Sequence, residues 1–247
     1  MLFARPGEYK PCGIFSLEHF GLIAVTIVCI AIAIKNTYKS SKEEVKKIIK
    51  NCTIMLLFME IFIIIFKLCT GDPRNVNNYV PLYYCSILLY AGTLSSFAKG
   101  KIKRMGDVFL ATGGIIGGIV FILLPTLPAY PALHIVSLHS FLYHGIMVYL
   151  GLLVNITHYI DVVASDAVYF ATLIGIICIL AQIVNKIFDS NLMFISKDFP
   201  GTPITIIYKL TGKHFTAFME IAQMFLPFYA VYGILKIRDK RKAKLQG

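Results

Sequence analysis

The chain has 247 residues, of which 57% are hydrophobic and only 15% charged. With a mean hydropathy of +0.73, that composition excludes an ordinary soluble domain and fits an all-α polytopic membrane protein. The net charge of +11 lies in short segments between apolar runs, where it acts as a topology signal, so no nucleic-acid partner is expected.

In chain order, residues 1–14 are a polar lead with Arg5, Pro6, Gly7 and Lys10, without the charge, apolar core and cleavage-site pattern of a removable signal peptide. A first span covers about 15–34. Residues 35–51 carry six lysines and read as a cytoplasmic loop with room for a short surface helix. A second span, 52–70, contains Glu60 and Lys67, and the GDPRNVNN run after it is a turn. A third span, 79–98, begins YVPLYYCSI and is followed by a basic loop ending at Arg104. The fourth span, 105–124, contains Gly113/Gly117 and Gly114/Gly118, spacings that let another helix approach closely. Pro125, Pro128 and Pro131 make a stiff turn before the fifth span, 132–155. The sixth span covers 164–186. The polar, irregular stretch 187–215 is long enough for a lid, and its ITIIYKL piece suits the membrane surface. A seventh span, 216–237, precedes a basic tail.

Sixteen Lys and Arg fall in the first and third connections and the tail, against six on the alternate side. This predicts one integral membrane domain over 1–247, a seven-transmembrane-helix bundle with the N-terminus outside and the C-terminus cytoplasmic.

That topology gathers ionisable groups in the outer half. The fifth span carries His134, His139 and His144, costly in lipid unless they face protein or water, and this places it at the centre of the bundle. Ser137, Ser140 and His144 share one face, and His139 points about 140° from His144. Glu60 near the midplane needs a partner on another helix, because Lys67 lies two turns away. Glu18, His19 and Lys67 also suit the headgroup level. Glu220 and Gln223 lie in the outer part of the seventh span, and the inner half holds little beyond Thr112 and Asn155. An outward-facing polar cavity follows. Of the six cysteines, none forms C-x-x-C, so neither a zinc site nor a disulfide framework is signalled; Cys12 and Cys69 fall on one side of the membrane, which leaves a disulfide between them open. Cys85 stands out by its setting among Pro81, Tyr83, Tyr84 and Ser86, at the depth of His139. Histidines five apart are wrong for two ligands on one helix face, and no cofactor or metal motif is present.

The segment PLYYCSI (81–87), the Gly-rich fourth span ending at Pro125, the pair His144–Gly145 and the stretch NLMFISKDFPGTP together resemble the bacterial YwaF-like integral membrane proteins, related to the eukaryotic transmembrane protein 164 family. The resemblance runs from about 15 to 237. It implies a multi-pass protein of a bacterial cell membrane, in keeping with a Lys- and Ile-rich composition. From the eukaryotic branch it implies phospholipid acyl transfer centred on a Cys, with Cys85 as nucleophile and His144 as base. The family's His two residues before the Cys is Tyr83 here, which brings His139 forward as a second base.

A mechanism follows as an expectation. Cys85, deprotonated by His144 or His139, attacks a phospholipid ester and forms a thioester. Glu60 or Glu220 orients the imidazole, Tyr83 or Tyr84 donates to the oxyanion, and Ser140, Lys67 and Gln223 contact substrate. A lipid-ester hydrolase with the same site, and a non-catalytic binding or transport protein for a small ligand, are the alternatives. The sequence leaves the lipid acceptor and the oligomeric state open.

Overall fold

The computed structural model describes residues 2–3, 8–71, 75–124 and 130–246. Arg5, Pro6, Gly7, part of the GDPRNVNN turn, and Pro125 and Pro128 lie outside the described residues. All regular structure within them is helical: α1 Leu17–Thr37, α2 Lys42–Thr70, α3 Ile87–Phe97, α4 Gly100–Ala111, α5 Gly113–Leu123, α6 Ile135–Ile156, α7 Ala167–Phe188, α8 Pro203–Thr211 and α9 Phe215–Gln246. Among the described residues, six stretches are long and apolar enough to cross a membrane, counting α4 with α5 and α8 with α9.

Local chemistry explains the ends. Ser16 caps α1 by accepting from the His19 N–H. Ser41 and Glu44 form a reciprocal capping box that starts α2 at Lys42, ten residues before the expected entry of the span. The lysine-rich segment is therefore largely helix. Val45, Ile49, Thr53, Leu56 and Ile63 form the buried stripe of α2, which packs against α3. Gly100, at φ +57°, opens α4, so Lys103 and Arg104 project from a helix rather than from a loop. Thr112 breaks the ladder between α4 and α5, with φ −127° and ψ −79°.

The third pass departs from the expected continuous span over 79–98. Only the 11 residues of α3 are α-helical, about 16 Å of helix and too short to cross alone. Residues 79–86 run as turns, because Pro81 has no N–H to donate to a helix. At membrane depth such backbone persists only where protein supplies its hydrogen bonds. Two phenols do so: Tyr90 donates to the Pro81 carbonyl at 2.9 Å, and Tyr143 to the Cys85 carbonyl at 3.3 Å.

The helix carrying the three histidines is central, as expected. α6 packs against α1, α2, α4 and α5, and its buried residues include Tyr143, His144, Met147, Leu150 and Leu153. α5 closes on it through glycines: a Cβ on Gly118 would lie 2.5 Å from Val148 Cγ2 and 2.9 Å from the His144 carbonyl. Phe109, Phe170 and Phe228 join α4, α7 and α9 in the fully buried core. Outward faces stay apolar, as at Leu17, Phe58, Val168 and Leu226, which fits a surface facing acyl chains rather than water.

The two ends of the bundle differ. At the basic end, Lys103 bonds Asp107 at 2.6 Å and the Tyr159 hydroxyl at 2.9 Å. Ser95 donates to the same carboxylate at 2.6 Å. Arg104 holds Asp166 through Nε at 2.9 Å and the Asp161 carbonyl through Nη2 at 2.7 Å. Asp107 and Asp166 are both buried. The half read as nearly free of polar groups thus holds a built ionic network, made possible because α4 begins early enough to aim Lys103 and Arg104 inward.

Candidate functional site

Cys85 lies in the last turn before α3, where the N–H groups of Leu88 and Leu89 already bond back to the carbonyls of Cys85 and Ser86. Its thiol sits beside the backbone and hydroxyl of Ser86.

The elements around this turn converge. Glu60 and Lys67 of α2 both lie within electrostatic reach of Cys85 and of each other. Neither forms a direct ion pair among the described residues, in keeping with their two-turn separation. Tyr90 and Tyr143 are electrostatic neighbours of Glu60 from α3 and α6, so groups from other helices do meet that carboxyl. His139 lies beside the Met59 carbonyl and near Lys67, with its ring 5.8 Å from that of Tyr143. Its Nε2 is buried without a hydrogen-bond partner among the described residues.

The other histidines are occupied differently. His144 Nδ1 is 2.7 Å from the Ser140 carbonyl; a carbonyl accepts, so Nδ1 carries the proton and Nε2 is left as the acceptor. The imidazole stacks on Phe121 of α5 at 3.6 Å, about a third of a turn from the face that carries His139 and Tyr143 toward α2. His134 is fully buried and caps α6 by accepting from the Val136 N–H at 3.1 Å. His19, also buried, accepts from the Phe15 N–H at 3.0 Å and donates to the Ile122 carbonyl at 3.1 Å.

Of the expected site residues, Cys85, Glu60, Lys67 and His139 come together, with Ser140 and His144 on the neighbouring faces of α6. Tyr83 spends its hydroxyl on Asn77 Oδ1 at 3.2 Å and lays its ring 5.4 Å from Phe194. The Tyr84 hydroxyl is buried and unpartnered beside Gly113. Glu220 and Gln223 are elsewhere. Glu220 accepts a hydrogen bond from Gln182 on the seam of α7 and α9, and Gln223 donates to the Met193 carbonyl at 3.0 Å. The thiols of Cys12 and Cys69 are both free. An apolar groove of about 430 Å³ runs between α7 and α9 and a polar pocket lies at the basic end; neither coincides with the Cys85 cluster, where the polar cavity is expected.

Two participants escape a reading by sequence alone. Tyr90 and Tyr143 look like core aromatics, and only a rule that a buried phenol seeks an acceptor, applied together with the helix-breaking Pro81, points to them. The segment after α7 is also more ordered than its composition suggests. Asn185 accepts from Ser190 Oγ and the Leu192 N–H, both at 2.7 Å, and donates to Ser196 Oγ and the Leu192 carbonyl. Asn191 receives the Ser196 and Lys197 N–H groups, while its own N–H reaches Asn77 at 3.1 Å. This knot holds Met193 and Phe194 at positive φ and covers the Tyr83 side of the site.

No curated protein and no solved structure matches the chain. A family model does match, over residues 14–234, a range that takes in the broken third pass, the Cys85 cluster and the Asn185 knot. The chain belongs to the TMEM164 family.

Proposed function

We propose that this protein is a membrane acyltransferase that moves phospholipid acyl chains through a thioester on Cys85. The observation that carries the reading is the interrupted third pass. It presents Cys85 within electrostatic reach of Glu60 and Lys67, and Lys67 is in turn a neighbour of His139, whose Nε2 is buried and unpartnered among the described residues. Broken helices at membrane depth are a recurrent way of building polar sites. Family membership supports it, since the resemblance to the eukaryotic branch implies phospholipid acyl transfer centred on a Cys.

In this reading seven passes place the N-terminus outside and the C-terminus in the cytoplasm of a bacterial cell membrane, so the site opens toward the outer leaflet. His139 takes the thiol proton, and His144 is the alternative base. The Cys85 sulfur attacks the ester carbonyl; the C–S bond forms, the ester C–O bond breaks, and the imidazolium returns its proton to the lysolipid oxygen. A hydroxyl of a second lipid, deprotonated by the same imidazole, then attacks the thioester and releases the thiolate. Lys67 faces the developing oxyanion and Glu60 balances the imidazolium. The 187–215 segment serves as lid over the site.

Intact-protein mass spectrometry after incubation with mixed phospholipids tests this. Wild type gains an acyl-sized increment that hydroxylamine removes. Cys85→Ala gains none, and His139→Ala gains it more slowly than His144→Ala. Recovery of the acyl chain on a second lipid, rather than as free fatty acid, separates transferase from hydrolase. No increment on any of the four proteins, with the same lipid co-purifying equally, would sink covalent catalysis and favour a binding role.

A further inference from the structure

The end of α6, the loop after it and the far part of α9 surround a pocket of about 240 Å³ whose lining includes Asn155, His158, Asp161, Lys236, Arg238 and Asp239. Its depth follows from helix geometry. Lys236 lies 21 residues into α9 and Asn155 20 residues into α6, in each case about 30 Å along the axis. That is the thickness of the hydrocarbon core, so the pocket opens among lipid headgroups. It is held in shape from below: Arg104 grips Asp166 and the Asp161 carbonyl, and Asn155 Nδ2 donates to the Ala111 and Gly151 carbonyls at 2.7 and 2.8 Å. The Asn155 amide nitrogen is thereby spent, and its buried side chain offers Oδ1 as an acceptor.

The charges around the rim are of both signs. Lys236 and Arg238 are cationic, and Asp161 and Asp239 are anionic. Arg238 pairs with Asp239 at 3.0 Å and His158 meets Asp161 at 3.3 Å, but the two carboxylates remain 52% and 81% exposed. Exposed pairs of this kind hold little free energy and exchange readily for a ligand. A singly anionic headgroup would leave the two carboxylates facing it. A choline headgroup would bring a cation with no N–H to give. A phosphoethanolamine headgroup answers both signs of charge on the rim. Its phosphate takes Lys236 and Arg238, and its ammonium, with three donors, takes Asp161, Asp239 and Asn155 Oδ1.

We infer that this pocket is a binding site for the zwitterionic phosphoethanolamine headgroup of a membrane phospholipid. The site lies toward the other end of the bundle from Cys85 and stands independently of the acyl-transfer reading.

The test resupplies delipidated, detergent-solubilised protein with equal amounts of phosphatidylethanolamine, phosphatidylglycerol and phosphatidylcholine and counts retained lipid by native mass spectrometry. Wild type is expected to retain phosphatidylethanolamine roughly tenfold over either other lipid, the worth of one hydrogen bond to a charged group. Lys236→Gln with Arg238→Gln removes that retention, while Lys236→Arg keeps it. Asp161→Asn with Asp239→Asn shifts preference toward phosphatidylglycerol. Circular dichroism confirms that all variants stay folded. Water-soluble glycerophosphoethanolamine at equal concentration should not displace the lipid; displacement would assign the pocket to a soluble ligand and overturn the lipid assignment. Equal retention of the three lipids by wild type, or a preference unchanged in both double variants, overturns the site itself.

Discussion

The Tyr143 hydroxyl of α6 donates to the Cys85 carbonyl at 3.3 Å, tying the central helix to the turn from which the third pass restarts. The bond both satisfies non-helical backbone at membrane depth and sets the height of the Cys85 thiol against the face of α6 that carries His139. Tyr143→Phe removes the donor with little change of shape. The expected result is thioester formation slowed about five- to tenfold, with stability lowered by about 1 kcal/mol. Adduct kinetics by intact mass and a thermal unfolding scan check the two parts.

Glycine packing between α5 and α6 gives a paired prediction. A Cβ on Gly118 meets Val148 Cγ2 at 2.5 Å and the His144 carbonyl at 2.9 Å, whereas on Gly114 the nearest atom is at 3.4 Å. Gly118→Ala should therefore destabilise the protein by about 1–3 kcal/mol, and Gly114→Ala should be close to neutral. Unfolding midpoints in one detergent compare them directly.

At the basic end, Arg104→Gln leaves the buried Asp166 carboxylate without its fork of donors. Because Arg104 is 28% exposed, the expected loss is about 2–3 kcal/mol, below that for breaking a wholly buried pair. Arg104→Lys should recover only part of it, since an ammonium lacks the planar fork that reaches Asp166 and the Asp161 carbonyl together. Denaturant titration of the three proteins reads this order.

Asn185 holds the segment after α7 through four hydrogen bonds. Asn185→Leu leaves the Leu192 N–H and carbonyl buried and unpaired, at a cost of about 2–4 kcal/mol. Local opening then becomes cheap. Hydrogen exchange across 189–199 should accelerate at least tenfold while α4 and α6 keep their protection.

Much of the architecture was legible along the chain. The apolar runs announced a multi-pass helical protein, and the three histidines of one run placed α6 at the centre. The Ser41–Glu44 spacing carried the start of α2, although the lysines around it read as loop. These features depend on hydrophobicity and capping within a few residues. Depth matched Cys85 with His139 and put Glu60 and Lys67 in the same outer half, because depth follows from counting residues along spans. Glu220 was put in that outer half too and still lies on the α7–α9 seam, since depth says nothing about which way a helix faces.

The sequence by itself determined that the chain is helical, membrane-embedded and built around the run that became α6, because burial in lipid is set by local composition. Tertiary structure alone decided that the broken backbone at Cys85 is satisfied by Tyr143, that His139 rather than His144 faces α2, and that Asp166 is buried in an ion pair. The physical reason is common to all three. Each rests on a hydrogen-bond or charge partner supplied by a distant segment: Tyr143 is 58 residues from Cys85 and Arg104 is 62 from Asp166. Pairing over such distances is fixed by how the helices pack, which no short stretch of sequence carries.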